Sequence, residues 1–182
     1  MVAYVSMIRG INVGGKKVKM DRLKELYKSL DFEDVKTYIQ SGNVIFESKE
    51  LDKIKLSHII EKEIAEIFNF DVKVLLRTKN EMINVINGNP FKQEDFNHLY
   101  VTFLSDIPSE KLIKDLTCTI DENIENKSDK YNIIGMEIYL FLPNGYGRTK
   151  LNNNFFEKKL DISATTRNWR TVNRLVDFVS NM

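Results

Sequence analysis

The sequence predicts a mixed α+β protein built from two tandem units and an extra C-terminal helix. Short apolar runs typical of strands alternate with longer runs whose apolar residues recur at helical spacing. The order of these runs is the same in both halves: strand, helix, strand, strand, helix, strand. We place the first unit at residues 1–78, a connecting helix and turn at 79–97, and the second unit with the final helix at 98–182.

The first unit is defined by four apolar strands and two amphipathic helices. Helical spacing of apolar residues begins at Met20 and predicts the first helix, and a similar pattern predicts the second helix over residues 56–68. A tight turn at Ser41-Gly42 joins the two middle strands. The four strands are predicted at residues 3–9, 35–39, 43–47 and 72–76. This βαββαβ order is the ferredoxin-like split βαβ arrangement.

The second unit repeats the same order of elements. Pro108 marks the start of its first helix, because proline is favoured at the first helical position. Residues 151–160 predict the second helix, and the extra C-terminal helix follows at about 168–180. The strands are predicted at residues 98–104, 130–134, 136–142 and 163–166.

Several residues recur between the halves, which favours an internal duplication over chance similarity between hairpins. The segment 38–46 aligns without gaps with the segment 131–139, since both carry an aromatic residue, a glycine and an apolar pair at the same spacing. Two further matches are Tyr4-Val5-Ser6 with Tyr100-Val101-Thr102, and Arg77 with Arg167.

The strands are apolar on both faces, which predicts that both faces of each sheet are buried. One cover is the unit's own pair of helices. The other is either the sister unit or a second subunit, so a homodimer stays open. This patterning argues against an open, aromatic RNA-binding sheet.

Composition places the chain among soluble globular proteins, and we expect it in the cytoplasm. It has 42% hydrophobic and 29% charged residues, and its net charge of +1 argues against a surface that binds nucleic acid as a whole. No run approaches the ~20 apolar residues of a membrane span. The single Cys118 excludes an intramolecular disulfide, and His58 and His98 lack metal-ligand spacing, so no metal site is predicted.

The strongest candidate binding segment connects the first strand to the first helix. Glycines, an amide side chain and three nearby lysines (Lys16, Lys17 and Lys19) together give a flexible backbone, N–H donors and positive charge, which suit an anion. A plain strand-to-helix turn is the open alternative. The candidate residues of this segment are Arg9, Gly10, Asn12, Gly14, Gly15 and Lys16.

This segment is a near match to a nucleotide-binding P-loop. Residues 10–16 have the spacing G-x-x-x-x-G-K, but Lys17 stands where the motif needs Ser or Thr to hold magnesium. The P-loop interpretation is therefore rejected. Other catalytic motifs are also missing, so the sequence assigns no catalytic residue or cofactor and leaves open whether the protein is an enzyme.

Two further polar segments complete the candidate ligand face. The hairpin turn around Gly42 contributes Gln40, Ser41 and Asn43, with a surface turn as the alternative. We expect Thr165 or Thr166 to cap the last helix, where arginines and the helix dipole together would bind an anion. A solvated basic face is the alternative there. The candidates around this helix start are Arg167, Asn168, Trp169 and Arg170. One more candidate, Lys150, ends a second glycine-containing basic loop at residues 144–150, before the preceding helix.

Three motifs together resemble an uncharacterised bacterial family known as domain of unknown function 1697. They are R-G-I-N-V-G-G (9–15), T-Y-I-Q-S-G-N-V-I-F (37–46) and A-T-T-R-N-W-R-T-V (164–172). The resemblance covers essentially the whole chain; it implies two ferredoxin-like units and no established activity. The motif matches fall on Arg9, Gly10, Asn12, Gly14, Gly15, Gln40, Ser41, Gly42, Asn43, Lys150, Arg167, Asn168 and Trp169.

Three functions from different classes stay open on the sequence. The leading hypothesis is binding of a small anionic ligand, such as a nucleotide or phosphorylated metabolite, with Lys16, Lys150 and Arg167 supplying charge. The second is a nucleic-acid-binding module, which requires strongly salt-dependent oligonucleotide binding. The third is a protein-interaction domain.

Overall fold

The computed structural model describes residues 1–123 and 128–182, which form two four-stranded antiparallel sheets and six α-helices. The predicted α+β class is therefore confirmed. The chain divides into two compact units, residues 1–84 with 173–182, and residues 85–172. The predicted boundaries lay at 78 and 98, whereas here one helix after the first sheet and the C-terminal helix each contribute to both units.

The first unit has a sheet in the order β2-β3-β1-β4, with every neighbouring pair antiparallel. The second helix of this unit, α2 (Lys53–Phe68), has Asp52 as its N-cap, and the Asp52 side chain accepts hydrogen bonds from the Ile54 and Lys55 amides. Its C-cap is Asn69, in the left-handed conformation (φ 59°). The elements are β1 (Val2–Arg9), α1 (Met20–Ser29), β2 (Glu33–Tyr38), β3 (Asn43–Ser48), α2 (Lys53–Phe68) and β4 (Lys73–Thr78).

The second unit has its sheet in the corresponding order, β6-β7-β5-β8. The elements are β5 (Leu99–Leu104), α4 (Glu110–Asn123), β6 (Lys130–Ile134), β7 (Glu137–Phe141), α5 (Asn153–Leu160) and β8 (Ala164–Asn168). Two helices, α3 (Lys79–Gly88) and α6 (Trp169–Ser180), contain the points where the chain passes from one unit to the other.

Each sheet has one face in a hydrophobic core with its own two helices. In the first unit this core includes an aromatic cluster, with ring centroids of Phe32 and Phe46 4.5 Å apart and those of Tyr27 and Phe46 5.3 Å apart. The core of the second unit includes Leu116 of α4 and Phe156 of α5. Packing of this kind, more than helix propensity, holds helices of 8 to 16 residues in place.

The opposite face of each sheet is buried as well, as the apolar strands predict. On the first sheet this face includes Val5 and Ile45, and on the second it includes Val101 and Tyr139. The Tyr139 hydroxyl donates to the Val85 carbonyl at 3.1 Å, so the end of α3 lies against this face of the second sheet.

Strand register confirms part of the predicted internal alignment and corrects the rest. Val5 pairs with Arg77 and Val101 pairs with Arg167, so the two arginines do occupy corresponding positions. The gapless match of 38–46 with 131–139 is wrong.

The error in that match is visible on the middle strands. Val5 faces Ile45 where Val101 faces Tyr139, so Ile45 corresponds to Tyr139 and not to Ile138. The hairpin loop is residues 39–42 in the first unit and residues 135–136 in the second, and this difference in length shifts the alignment.

The start of the last helix also differs from the prediction. Thr165, Thr166, Arg167 and Asn168 all lie in β8, paired with β5, and α6 begins at Trp169. The cap is Asn168, whose Oδ1 accepts a hydrogen bond from the Thr171 amide at 2.8 Å. The predicted strand ended at residue 166, because Arg167 and Asn168 are polar and only their pairing with β5 places them in β8.

Candidate functional site

The connection between β1 and α1 in the first unit folds on itself. The amide of Asn12 donates to the Lys16 carbonyl at 2.7 Å, and the amide of Lys17 donates to the Gly15 carbonyl at 2.9 Å. Four residues of this loop have positive φ: Gly10 (77°), Asn12 (58°), Gly14 (61°) and Gly15 (95°). The backbone donors at positions 12, 16, 17 and 18 are thus engaged inside the loop, so the glycine-rich segment does not act as an open anion nest through them.

The Asn12 side chain fixes this loop to the neighbouring hairpin. Its Oδ1 accepts from the Val18 amide at 2.8 Å, and its Nδ2 donates to the carbonyls of Gln40 at 2.8 Å and Val18 at 3.2 Å. Asparagine tolerates the left-handed conformation found here better than most residues. One side chain therefore holds together two of the three segments predicted from the sequence.

The hairpin turn is packed tightly against the same loop. Gly42 is buried, with φ +70°, and a Cβ at this position would lie 2.2 Å from Ile11 Cγ2. The Gly42 carbonyl also accepts from the Ile8 amide at 2.9 Å. Glycine is required at this point both by its conformation and by the close approach of the Ile11 side chain.

A cavity of about 910 Å³ opens beside these two segments. This volume lies within the range of ligand-binding pockets. Its walls come from the loop, the first turn of α1, the hairpin and the last residue of α2. The lining residues are Asn12, Lys17, Val18, Lys19, Met20, Asp21, Arg22, Gln40 and Phe68.

The cavity wall is cationic where α1 begins. Helix α1 starts at Met20 with Lys19 as its N-cap residue, and a lysine side chain has no acceptor with which to cap the helix. The partial positive charge of the helix N-terminus adds to the exposed side chains of Lys17, Lys19 and Arg22. Asp21 is the acidic residue of this wall.

The cavity also has an aromatic residue in its wall. Phe68, at the end of α2, is half-buried and lines the cavity. The Arg22 guanidinium lies 5.5 Å from the centre of the Phe68 ring, and the Phe70 ring stacks on Phe68 at 6.2 Å. The cavity therefore combines cations, amide side chains and an aromatic face.

Comparison with known proteins places this chain in a family. A family model described as "Protein of unknown function (DUF1697)" matches residues 1–139. The chain belongs to the DUF1697 family. The predicted family is thereby confirmed; the first two sequence motifs lie in the matched range, whereas the third, residues 164–172, lies beyond it. The matched range also contains every residue that lines the cavity.

A solved structure has the same overall chain fold as this DUF1697 member. It is the conserved bacterial protein SP0830 from Streptococcus pneumoniae, which aligns with a TM-score of 0.73 and 25% sequence identity over 99% of each chain. No curated protein sequence matches the chain. Neither the family description nor the structural relative names an activity, so the chemistry is argued from geometry.

Lys16, the predicted charge of the glycine-rich segment, lies outside the cavity lining. Its Nζ donates to the Asp71 carbonyl at 2.6 Å and stands 5.6 Å from the centre of the Phe70 ring. Arg9 is the last residue of β1 and pairs with Lys73. Arg22 and Phe68, which line the cavity, were not predicted from the sequence. Lys17 and Lys19 were counted in the charge of the glycine-rich segment but not among its candidate residues; the helix start at Met20 was the signal that could have favoured them over Lys16.

Of the predicted hairpin residues, Gln40 lines the cavity and is exposed. Asn43 is fully buried, and its Nδ2 donates to Ser41 Oγ at 2.8 Å and to the Tyr38 carbonyl at 3.2 Å. Asn43 and Ser41 therefore shape the turn that presents Gln40.

The remaining predicted residues belong to the second unit. Arg167 is 7% exposed, and its Nη1 donates to Thr165 Oγ1 at 2.7 Å and to the Thr166 carbonyl at 2.9 Å. Trp169 is 6% exposed, and Asn168 caps α6. Lys150 and Arg170 are exposed.

Metal and membrane features are absent from the parts of the chain that the structure describes. Residues 1–123 and 128–182 contain no cluster of three or more His, Cys, Asp or Glu side chains that could hold a metal ion. Among the same residues, no helix is long and apolar enough to cross a membrane. Cys118 is exposed on α4.

Proposed function

We propose that the first unit binds a small anionic ligand, a nucleotide or another phosphorylated metabolite, in the cavity beside the start of α1. The cavity carries this proposal because its lining brings Lys17, Lys19 and Arg22 next to an N-terminus with a lysine as its N-cap. A phosphate group is stabilised by helix amides and by lysine or arginine side chains acting together.

The surrounding structure supports binding at a fixed geometry. Asn12 joins the loop to the hairpin, and Gly42 packs against Ile11, so both walls are held by hydrogen bonds and close packing. Gln40 offers an amide that can donate to a phosphate oxygen or accept from a ligand hydroxyl. Preorganised walls of this kind lower the ordering cost of binding.

We also infer that each unit is ferredoxin-like and that the protein acts in the bacterial cytoplasm. The strand orders β2-β3-β1-β4 and β6-β7-β5-β8 support the fold assignment, since each is the order of a split βαβ unit. A bacterial structural relative and a single cysteine that is free support the location.

Binding of phosphorylated compounds to a variant pair tests the proposed function. Titration calorimetry in a phosphate-free buffer compares the wild-type chain with Lys17→Ala/Lys19→Ala, using nucleotides, sugar phosphates and inorganic phosphate. Lys28→Ala is the matched control, because Lys28 lies in the last turn of the same helix and pairs with Glu25 at 3.0 Å.

We expect the double variant to weaken binding at least tenfold and the control to leave it unchanged. Tenfold corresponds to about 1.4 kcal/mol, which is within the range of a charge-assisted contact. Equal affinity of the double variant and the wild type for every compound that binds would contradict the proposal. Binding only of oligonucleotides, with a steep salt dependence, would instead favour the nucleic-acid module.

A further inference from the structure

The aromatic wall of the cavity narrows the class of ligand. We infer that the anion is a free mononucleotide whose base stacks on Phe68 while its phosphate lies at Lys17 and Lys19; this inference rests on the proposed function. A purely ionic ligand needs the cations alone. The half-buried Phe68 ring adds a flat apolar surface inside the same cavity.

The position of Phe68 suits a ring that receives a planar ligand. The residue ends α2, just before Asn69 turns the chain in the left-handed conformation, and its ring packs at the edge of the first unit's core. Phe70 stacks on it at 6.2 Å and so supports the ring. Bases stack on aromatic side chains in this way regardless of their sequence identity, because every base has a π-face.

Arg22 completes the stacking surface. Its guanidinium lies over the Phe68 ring, 5.5 Å from the ring centre, and the side chain is exposed. A planar guanidinium stacks on a base as well as on a phenyl ring. A base that stacks on Phe68 would therefore take the place of the Arg22 guanidinium, which could then stack on the outer face of the base and cover it from solvent.

The charges along the cavity wall indicate where the phosphate of the nucleotide would lie and where its ribose or base would lie. Lys17, Lys19 and the first amides of α1 attract the phosphate. Asp21 would repel a phosphate, but a carboxylate accepts hydrogen bonds from a ribose hydroxyl or from the exocyclic amine of a base. Asp21 also stabilises the start of α1, because a negative charge in the first turn interacts favourably with the helix dipole.

The size of the cavity leaves room for more than a phosphate ion. A second cavity, of about 410 Å³, shares Asp21 and Arg22 with the first and is lined further along by Leu26 and Ile67. Apolar side chains there extend the surface available to a base. Inorganic phosphate or a short sugar phosphate would leave this surface without a contact.

A matched series of ligands tests the inference by titration calorimetry in phosphate-free buffer. The series is AMP, GMP, CMP, UMP, ribose 5-phosphate and adenosine, each with the wild-type chain. We expect at least one mononucleotide to bind ten or more times tighter than ribose 5-phosphate, and adenosine to bind more weakly than AMP.

Two substitutions at Phe68 separate stacking from folding. Phe68→Leu keeps an apolar side chain against the core and removes the ring, and Phe68→Ala removes both. We expect each folded variant to bind the preferred nucleotide only as tightly as ribose 5-phosphate, with ribose 5-phosphate itself unchanged. Phe96→Ala is the control, since Phe96 is an aromatic residue 44% exposed in the second unit.

The possible failures are distinguishable. Equal binding of ribose 5-phosphate and of every nucleotide would overturn the mononucleotide inference and leave the proposed function standing. Nucleotide preference retained in Phe68→Leu would overturn the stacking role. Hexanucleotides that bind over tenfold tighter than mononucleotides would overturn a free mononucleotide as the ligand, and no binding of any phosphate compound would overturn the proposed function itself.

Discussion

The two units share a strand order and differ where the first strand of each joins the first helix. In the first unit this connection is residues 10–19 and contains three glycines and three lysines; in the second it is residues 105–109, Ser-Asp-Ile-Pro-Ser. Helix α4 has a Ser109 hydroxyl that accepts from the Leu112 amide at 3.3 Å, whereas α1 has Lys19 at the corresponding place. The same arrangement of strands thus carries one helix start closed by its own side chain and another that opens on a cationic cavity.

The hairpin loops of the two units also differ in length, and the longer loop is again in the first unit. The first unit has the longer loop, residues 39–42, which reaches the β1–α1 connection through Asn12 and Ile11. The loop of the second unit is residues 135–136. The candidate site is therefore formed by the longer β1–α1 connection and the longer hairpin loop of the first unit, and not by the strand arrangement that both units share.

The largest expected effect is on stability, from alanine at the two hairpin glycines. Gly42 and Gly135 both have positive φ, so alanine at either costs about 1–2 kcal/mol. At Gly42 the new Cβ would also lie 2.2 Å from Ile11 Cγ2, and such overpacking adds about 1–3 kcal/mol. A Cβ on Gly135 would have no heavy atom of the described chain within 4 Å.

Urea unfolding of Gly42→Ala and Gly135→Ala therefore measures how much the close packing of Gly42 against Ile11 contributes to the free energy of unfolding. We expect Gly42→Ala to lose about 1–3 kcal/mol more free energy of unfolding than Gly135→Ala. Equal losses would mean that Ile11 moves freely and that the two hairpins are alike in this respect.

A smaller effect is expected from removing the side chain that joins the loop to the hairpin. Asn12→Ala removes three hydrogen bonds and places alanine at φ 58°, so we expect a loss of about 2–3 kcal/mol in the free energy of unfolding. In the second unit Ser105→Ala removes one side-chain hydrogen bond, which the Ser105 hydroxyl accepts from the Ser163 amide, and should cost about 1 kcal/mol. Thermal unfolding of both variants checks the difference, and a Ser105→Ala loss as large as that of Asn12→Ala would contradict it.

The smallest expected effect on stability comes from Tyr139 in the second unit, which has a titratable side chain where the first unit has Ile45. Burial, with a contribution from Glu137, raises the pKa of Tyr139 to about 12. The folded state thus favours the neutral phenol, so this stabilisation is complete below pH 10 and is lost as pH rises from 10 towards 12. Tyr139→Phe should cost about 1 kcal/mol near neutral pH, because the Val85 carbonyl loses its donor.

Unfolding measured between pH 8 and 12 tests this assignment. We expect the free energy of unfolding to fall less steeply above pH 10 in Tyr139→Phe than in the wild type. Burial also raises the pKa of Tyr27 in the first unit, so part of the alkaline fall should persist in the variant. Identical slopes in the two proteins would show that Tyr139 ionises as readily in the folded chain as in the unfolded one.

The sequence was sufficient to predict the α+β class and two similar sheet units, because the strands and helices have strong apolar periodicity. Residues 130–134 were predicted as a strand with the bounds of β6, and Met20 was predicted as the start of α1. The segment 164–168 was not predicted in full, since Thr-Thr-Arg-Asn has no apolar alternation and is a strand only through its pairing with β5. The hairpin alignment failed for a related reason, because loop length becomes visible only in the register of the strands.

The candidate site could be predicted only in part. Asn12 and Gln40 were selected by residue type and they do meet. The choice among Lys16, Lys17 and Lys19 depends on the turn closed by the Asn12 amide and the Lys16 carbonyl, which directs Lys16 towards Asp71. Phe68 is distant in sequence from the loop and reaches the cavity only when α2 packs on the first sheet, so local patterns could not select it.

The division of the chain has a consequence for how it folds during synthesis. Residues 173–182 belong to the first compact unit, where the Phe178 ring lies 5.5 Å from that of Tyr38 and the Ser180 carbonyl accepts from Lys79 Nζ at 2.9 Å. A ribosome makes the whole of the second unit before it reaches these residues. The first unit is therefore incomplete until the second has been synthesised, and a nascent chain stalled before residue 173 would expose the surface of the first unit that residues 173–182 contact.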